Sequence, residues 1–306
     1  MKFKKPQTLQ QIAQLLKVNF VGDANFSITG INEIHVVEPG DIVFVDHPKY
    51  YDKALNSAAT TILINKEVEC PEGKTLLISE DPFRDFNKIT THFNPFIASN
   101  EAISENAIIG EGTIVQPNVF IGENVVIGKN CVIHANVTIN NDCVLGDNVI
   151  VQSNAVLGSG AFYYKKRPEG YDQLISGGRV VLEDNVEIGA STTIDRGVTG
   201  DTTIGAGTKI DNQVQIGHDT VLGKKCLVAA LTAIAGCVVL KDEITVWGQV
   251  GISSGVTIES GTVLMARTGV TKSLKKGIYW GLPQQDYRKR MREILHLKKI
   301  TDKDEK

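Results

Sequence analysis

Ile121-Gly122-Glu123-Asn124-Val125-Val126-Ile127-Gly128-Lys129-Asn130-Cys131-Val132-Ile133 returns to isoleucine at every sixth position. Followed outward, the aliphatic rung recurs at Ile103, Ile109, Val115, Ile121, Ile127, Ile133, Ile139, Leu145, Val151 and Leu157. It breaks, resumes at Leu182, Ile188 and Ile194, skips four extra residues, and continues from Ile204 through Ile216 and Ile234 to Leu264. A helix repeats every ~3.6 residues and a half-buried strand every ~2, so a period of six fits neither. It fits a β-solenoid, a left-handed parallel β-helix of hexapeptide repeats with three short strands per coil. The 24 rungs then make eight coils of 18 residues. Rungs point inward and stack at about 4.8 Å. The glycine or asparagine that often follows a rung suits a tight corner at positive φ.

The composition agrees. Aromatic residues make up only 6% of the 306-residue chain, because a thin prism filled with Ile, Leu and Val has little room for rings. The net charge of −3 gives no basic excess of the nucleic-acid-binding kind. The five cysteines are odd in number, form no CxxC pair and read as reduced thiols of a cytoplasmic protein. No apolar run has the length of a membrane span, and none follows the basic start as in a signal peptide.

Three segments follow from where the ladder begins and ends. Residues 1–98 lack it. Thr8-Leu9-Gln10-Gln11 has the capping-box form ahead of a helical stripe, and strand-like runs follow at Ile42–Val45, Thr61–Ile64 and Thr75–Ile78. This is a small α/β domain. Residues 99–271 are the solenoid. Residues 272–306 form a tail with 11 basic and 5 acidic residues, reading from Gln285 onward as a basic helix. The tail is either a solvated helix packed on symmetry mates or a docking surface for an acidic protein.

The solenoid has two interruptions. The longer, Gly158 to about Val181, contains Gly160-Ala161-Phe162-Tyr163-Tyr164-Lys165-Lys166-Arg167 and reads either as a covering loop or as a lid over an anionic substrate. The shorter, Gly197–Asp201, is a small bulge. Three such prisms can pack side by side, so a homotrimer with clefts between subunits is expected.

Only His134 and His218 of the six histidines lie in the ladder, 84 residues apart. That is too few for a three-histidine zinc site, so no metal is expected. His218 follows the rung Ile216 at a corner, and Gly236 occupies the same place one coil on. A histidine base beside a backbone N–H is a workable acyl-transfer pair. The imidazole takes a proton from an amine or hydroxyl, and the glycine N–H holds the oxyanion. The other reading is a corner histidine satisfied by hydrogen bonds.

Val186-Glu187-Ile188-Gly189-Ala190-Ser191-Thr192-Thr193-Ile194-Asp195-Arg196-Gly197, with Ile210-Asp211-Asn212-Gln213-Val214-Gln215-Ile216-Gly217-His218, resembles the signature of the UDP-3-O-(3-hydroxyacyl)glucosamine N-acyltransferases of lipid A biosynthesis. Ile42-Val43-Phe44 followed by Pro48-Lys49-Tyr50 extends the likeness into the N-terminal domain. The resemblance implies transfer of a (R)-3-hydroxyacyl chain from acyl carrier protein to the 2-amino group of UDP-3-O-acyl-glucosamine, giving UDP-2,3-diacylglucosamine. It implies no cofactor beyond the carrier's 4′-phosphopantetheine. His218 is then the general base and Gly236 N–H the oxyanion donor. Phe44 and Tyr50 sandwich the uracil, with His47 beside it. Phe162 and Tyr163 belong to the insert near the sugar nucleotide, and Asn212 and Gln215 lie near pantetheine and substrate. The basic tail meets the acidic carrier protein. Three departures are visible: His47 where the family usually has asparagine, Gly160-Ala161-Phe162-Tyr163-Tyr164 where the insert usually reads Asp-Gly-Phe-Gly-Phe, and Gly255 where a second histidine is usual. The alternatives are O-acyl transfer to UDP-N-acetylglucosamine, against which Asp195-Arg196-Gly197 stands in place of His-Arg-Gly, and a paralogue that binds a sugar nucleotide with altered or lost activity.

Overall fold

The computed structural model describes residues 1–34 and 36–304, with side chains as far as 301. The last two residues of the basic tail lie outside this range. By contact the chain divides into two compact units.

The first unit comprises Met1–Ala98, Gly160–Gly178 and Gly197–Gly200. Its strands β1 (Lys2–Thr8), β2 (Asn19–Val21), β3 (Ser27–Ile31), β4 (Asp41–Val45), β5 (Thr61–Ile64) and β6 (Thr75–Ile78) form one sheet in the order β1-β3-β4-β5-β6-β2. β3 to β6 are parallel, and the two edge strands run antiparallel. Helices α1 (Leu9–Leu16), α2 (Tyr51–Leu55) and α3 (Pro82–Phe93) complete the unit. The capping box is formed as expected. Gln11 N–H donates to Thr8 Oγ1 at 3.2 Å and Thr8 N–H donates to Gln11 Oε1 at 2.8 Å. Leu9, Ile12 and Leu16 bury the apolar stripe of α1 against Ile28, Phe83 and Phe86.

The longer interruption is a hairpin, Tyr164–Arg167 paired with Gly170–Gln173, and it belongs to this unit. Its positive charges are already matched there. Lys165 pairs with Asp46. Arg167 donates to Asp81 and Asp172, both at 2.9 Å, and Arg84 donates to Asp172 and Glu169. Hydrogen bonds from Arg84 hold the Asp172 carboxyl below its ordinary range, with the charge of Arg167 adding to the effect. Lys165 and Arg167 also lie over the Phe83 ring. Of the hairpin's three cations, Lys165 and Arg167 are half-buried and Lys166 is exposed, so the charge that suggested an anion-contacting lid mainly fastens the hairpin to its own unit.

The second unit is a left-handed parallel β-helix. Each of three sheets stacks eight strands of two to four residues, one per coil, and the tail adds two more strands to one of them. The register is 18 residues, as in Val126↔Val144 and Leu222↔Leu240, widened where the interruptions intervene. Rungs such as Ile121, Ile133, Ile216 and Leu264 are fully buried. From the second coil on, the residue two before the rung is buried too, which adds Val125, Cys131, Val137, Cys143, Val149 and Cys226 to the same core. Burial drives the Cys143 thiol up to about 12, so these cysteines are inert packing residues.

The structure corrects two details of the ladder. It ends at Val270 rather than Leu264, because Gly269–Val270 still pairs with Gly251–Ile252. At its other end Ile103 makes only an isolated bridge to Ile121. The corner glycines also have a different cause. Positive φ is carried three residues after the rung, by Asn118, Asn124, Asn130, Asn136 and their equivalents. The glycine directly after the rung is needed for closeness: a Cβ on Gly217 would lie 2.5 Å from Gly236 N.

The core is a stack of nearly identical layers, so deleting one rung leaves a void that flanking layers cannot fill without breaking register. Ile133→Ala is expected to cost about 2–5 kcal/mol, read as a lower midpoint of chemical denaturation with an unchanged slope. After the last coil the chain returns as Ile278–Trp280, parallel to Val263–Leu264, and ends in α4 (Tyr287–Asp304).

Candidate functional site

Both signature stretches lie in neighbouring coils, with Thr193↔Gln215 and Ile194↔Ile216 in register. The corner after Ile216 carries His218, whose ring is mostly buried. Its Nδ1 lies 2.9 Å from Asp219 Oδ2. Asp219 is fixed in turn, since its backbone N–H donates to Thr202 Oγ1 at 2.9 Å and its φ is 55°. The carboxylate partner of His218 is therefore the next residue along, turned back onto the ring by the left-handed corner.

The other ring nitrogen faces the coil beyond. A Cβ on Gly236 would sit 2.6 Å from His218 Nε2 and 2.8 Å from Cδ2 and Cε1. Only glycine leaves the ring room there. At several corners the N–H two residues after the rung is capped by a side chain from the next coil. Glu123 N–H donates to Asn141, Lys129 N–H to Asp147, Asp147 N–H to Asp184, Ala190 N–H to Asn212 and Lys224 N–H to Asp242. Gly236 occupies that position and its N–H has no acceptor among the described residues. The residue above it, Ser254, donates instead to the Gly236 carbonyl at 2.7 Å. A base nitrogen and an open N–H therefore share one corner, the minimum apparatus for acyl transfer.

A second carboxyl stands behind this pair. Asp195 is buried and accepts from Gln215 Nε2 at 3.0 Å, while Gln215 Oε1 accepts from Thr193 Oγ1. Burial pushes the Asp195 carboxyl upward, with the Gln215 hydrogen bond and the charge of His218 opposing it. Gln215 thus has its side-chain amide engaged within the corner. Asn212 is exposed on a neighbouring corner, where its Oδ1 caps Ala190 N–H at 2.7 Å. It borders a groove of about 630 Å³ floored by Ile188, Leu227, Val228 and Trp247. Gly255 has a φ of 72° and open space where a Cβ would be.

The N-terminal unit holds a separate pocket of about 390 Å³, lined by Phe44, His47, Tyr50, Lys53, Asp46 and Tyr163 among others. Phe44 is braced from behind by Phe86, centroid to centroid 4.9 Å, and by Phe83 at 5.9 Å. Tyr50 is half exposed and its ring lies 5.9 Å from that of His47. His47 Nδ1 accepts from Lys49 N–H at 3.2 Å and so caps the turn Pro48–Tyr50 that presents Tyr50. An asparagine at this place would cap by its Oδ1. Tyr163 reaches the pocket because the hairpin is fastened to this unit. Phe162, 85% exposed with its ring 5.1 Å from that of Tyr164, does not line it.

Comparison with known proteins agrees with this division. Residues 25–92 match the family described as UDP-3-O-(3-hydroxymyristoyl) glucosamine N-acyltransferase, and residues 124–159 match the bacterial transferase hexapeptide of six repeats. A UDP-3-O-acylglucosamine N-acyltransferase 1 from Sulfurimonas denitrificans is 42% identical over 301 residues, covering 92% of this chain and 94% of that protein. A UDP-3-O-acylglucosamine N-acyltransferase from Methylobacterium nodulans is 43% identical over 125 residues, which is 40% of this chain and 36% of that protein. Among solved structures, a UDP-N-acetylglucosamine acyltransferase from Bacteroides fragilis has a TM-score of 0.55 at 25% identity, over 62% of this chain and 73% of its own.

Proposed function

The chain belongs to the UDP-3-O-acylglucosamine N-acyltransferase family, and from that premise we propose that it moves a 3-hydroxyacyl group from acyl carrier protein to the 2-amino group of UDP-3-O-acyl-glucosamine. The observation that carries this reading is the stacking of His218 Nε2 against Gly236, whose N–H is open. Asp219 accepts Nδ1–H and leaves the lone pair on Nε2. His218 removes a proton from the amine as nitrogen attacks the thioester carbon. The carbonyl electron pair moves onto oxygen, where the Gly236 N–H meets it. Collapse of the tetrahedral intermediate reforms the carbonyl and expels the pantetheine thiolate, which takes the proton back from His218. The product is the 2,3-diacylated sugar nucleotide.

Phe44 and Tyr50 are the uracil-stacking pair in this reading, with the Phe83–Phe86 brace keeping one face rigid. Asn212 and Gln215 are assigned to the pantetheine and sugar side. The carrier's acidic surface suits α4, which exposes Arg288, Lys289 and Arg292. The working assembly is a homotrimer. The odd number of cysteines and the lack of a CxxC pair fit a reducing cytoplasmic setting.

The test is a paired acceptor assay with one 3-hydroxyacyl carrier protein. Turnover is expected with the free-amine acceptor UDP-3-O-acyl-glucosamine and not with UDP-N-acetylglucosamine. The reverse preference would assign the corner to O-acyl transfer, and tight UDP-sugar binding without turnover of either would make the chain a binding protein.

A further inference from the structure

The column that holds the base also brings together three different metal-ligating groups. Asp219 and Cys237 occupy equivalent corner positions in successive coils, both at left-handed φ, 55° and 60°. Cys237 N–H donates to the His218 carbonyl at 2.8 Å, which fixes the register between them. Side chains at equivalent corners of a solenoid stack at the strand spacing of about 4.8 Å. Here His218, Asp219 and Cys237 each present a ligand atom within 4.8 Å of the others. Absence of a three-histidine set argued against a metal from sequence alone, but an imidazole, a carboxylate and a thiolate are an equally good donor set for zinc. Bond lengths of about 2.0–2.3 Å put ligands of one tetrahedral zinc about 3.3–3.8 Å apart, so the cluster closes with side-chain shifts of roughly an ångström.

We infer that this corner is an inhibitory zinc site, with Zn²⁺ bound by the His218 imidazole, the Asp219 carboxylate and the Cys237 thiolate. Binding releases the thiol proton to solvent and places the ion on the imidazole that the proposed reaction needs as a base. No electron transfer is involved. Chelation reverses the block. The inhibitory consequence rests on His218 being the base, while occupancy of the site does not.

Two readouts separate those claims. The first titrates chelator-treated protein with Co²⁺ alone and follows the thiolate-to-cobalt charge-transfer absorption, which needs no turnover. The wild type is expected to develop the band with one equivalent per chain, and Cys237→Ser is expected to lack it. Serine is tolerated at such a corner, since Ser191 holds φ 57° in this chain. The second readout is N-acyl transfer against Zn²⁺. The wild type loses turnover and regains it with EDTA, while Cys237→Ser keeps its basal rate and needs at least about tenfold more zinc for the same loss. No charge-transfer band in the wild type, or equal zinc sensitivity in the two proteins, overturns the site. A normal band in a protein with no N-acyl transfer leaves the site standing and overturns the reaction instead.

Discussion

Replacement of His218 by alanine lowers kcat by about 10²–10⁴-fold, the usual contribution of a positioned general base, while binding of the UDP-sugar is retained. Two features of the molecule separate the effects. Phe44, His47, Tyr50 and Tyr163 line their pocket within the N-terminal unit, where Phe44 packs on Phe83 and Phe86. The rungs on either side, Ile216 and Leu222, are buried independently of the corner, so the solenoid survives. Steady-state kinetics with the free-amine acceptor, together with calorimetric titration of UDP, give the two numbers. A variant that turns over at nearly the parental rate removes His218 from the mechanism, whatever its effect on affinity.

A single methyl group on Gly236 should be almost as damaging. Gly236 does not adopt left-handed φ, so alanine is compatible with the backbone. The new Cβ, however, falls 2.6 Å from His218 Nε2, well inside contact distance. The ring has to leave the position held by Asp219, and the methyl group stands beside the N–H that receives the oxyanion. Loss of one such donor costs about 10²–10³ in kcat, and displacement of the base adds to it. Gly251→Ala is the matched control. It lies two coils from the Gln215–Ile216 strand in the same sheet, and a Cβ there meets nothing within 4 Å. Gly236→Ala is expected to be nearly inactive with a modest drop in Tm, and Gly251→Ala to match the parent in both. Full activity in Gly236→Ala would show that the acyl group does not approach this corner.

Much of the site was legible in the chain because the solenoid converts sequence spacing into distance. Eighteen residues is one coil, so His218 and Gly236 are neighbours on counting alone. The same arithmetic holds for Asp219 and Cys237, yet it left their chemistry hidden. Which way a corner side chain turns depends on its φ, and the positive φ lies at the third residue after the rung rather than at the glycine that seemed to demand it. The partner of His218 was therefore missed although it is adjacent. The basic insert was misleading for another reason. Lys165 and Arg167 are paired with Asp46 and Asp81, and no local pattern links a hairpin to acids that far back in the chain.

By itself the sequence determined the periodic part of this protein: the six-residue ladder, its interruptions, the α/β segment before it and the basic helix after it. Periodicity is a local property, set by side chains that must face one interior at a fixed interval. Tertiary structure alone decided the aperiodic part. It selected Asp219 as the partner of His218, left the Gly236 N–H uncapped, joined Tyr163 to the pocket of Phe44 and Tyr50, and gathered a thiol with an imidazole and a carboxylate. Each of these depends on corner dihedrals and on contacts between distant segments, which are fixed only when the coils stack and the hairpin docks.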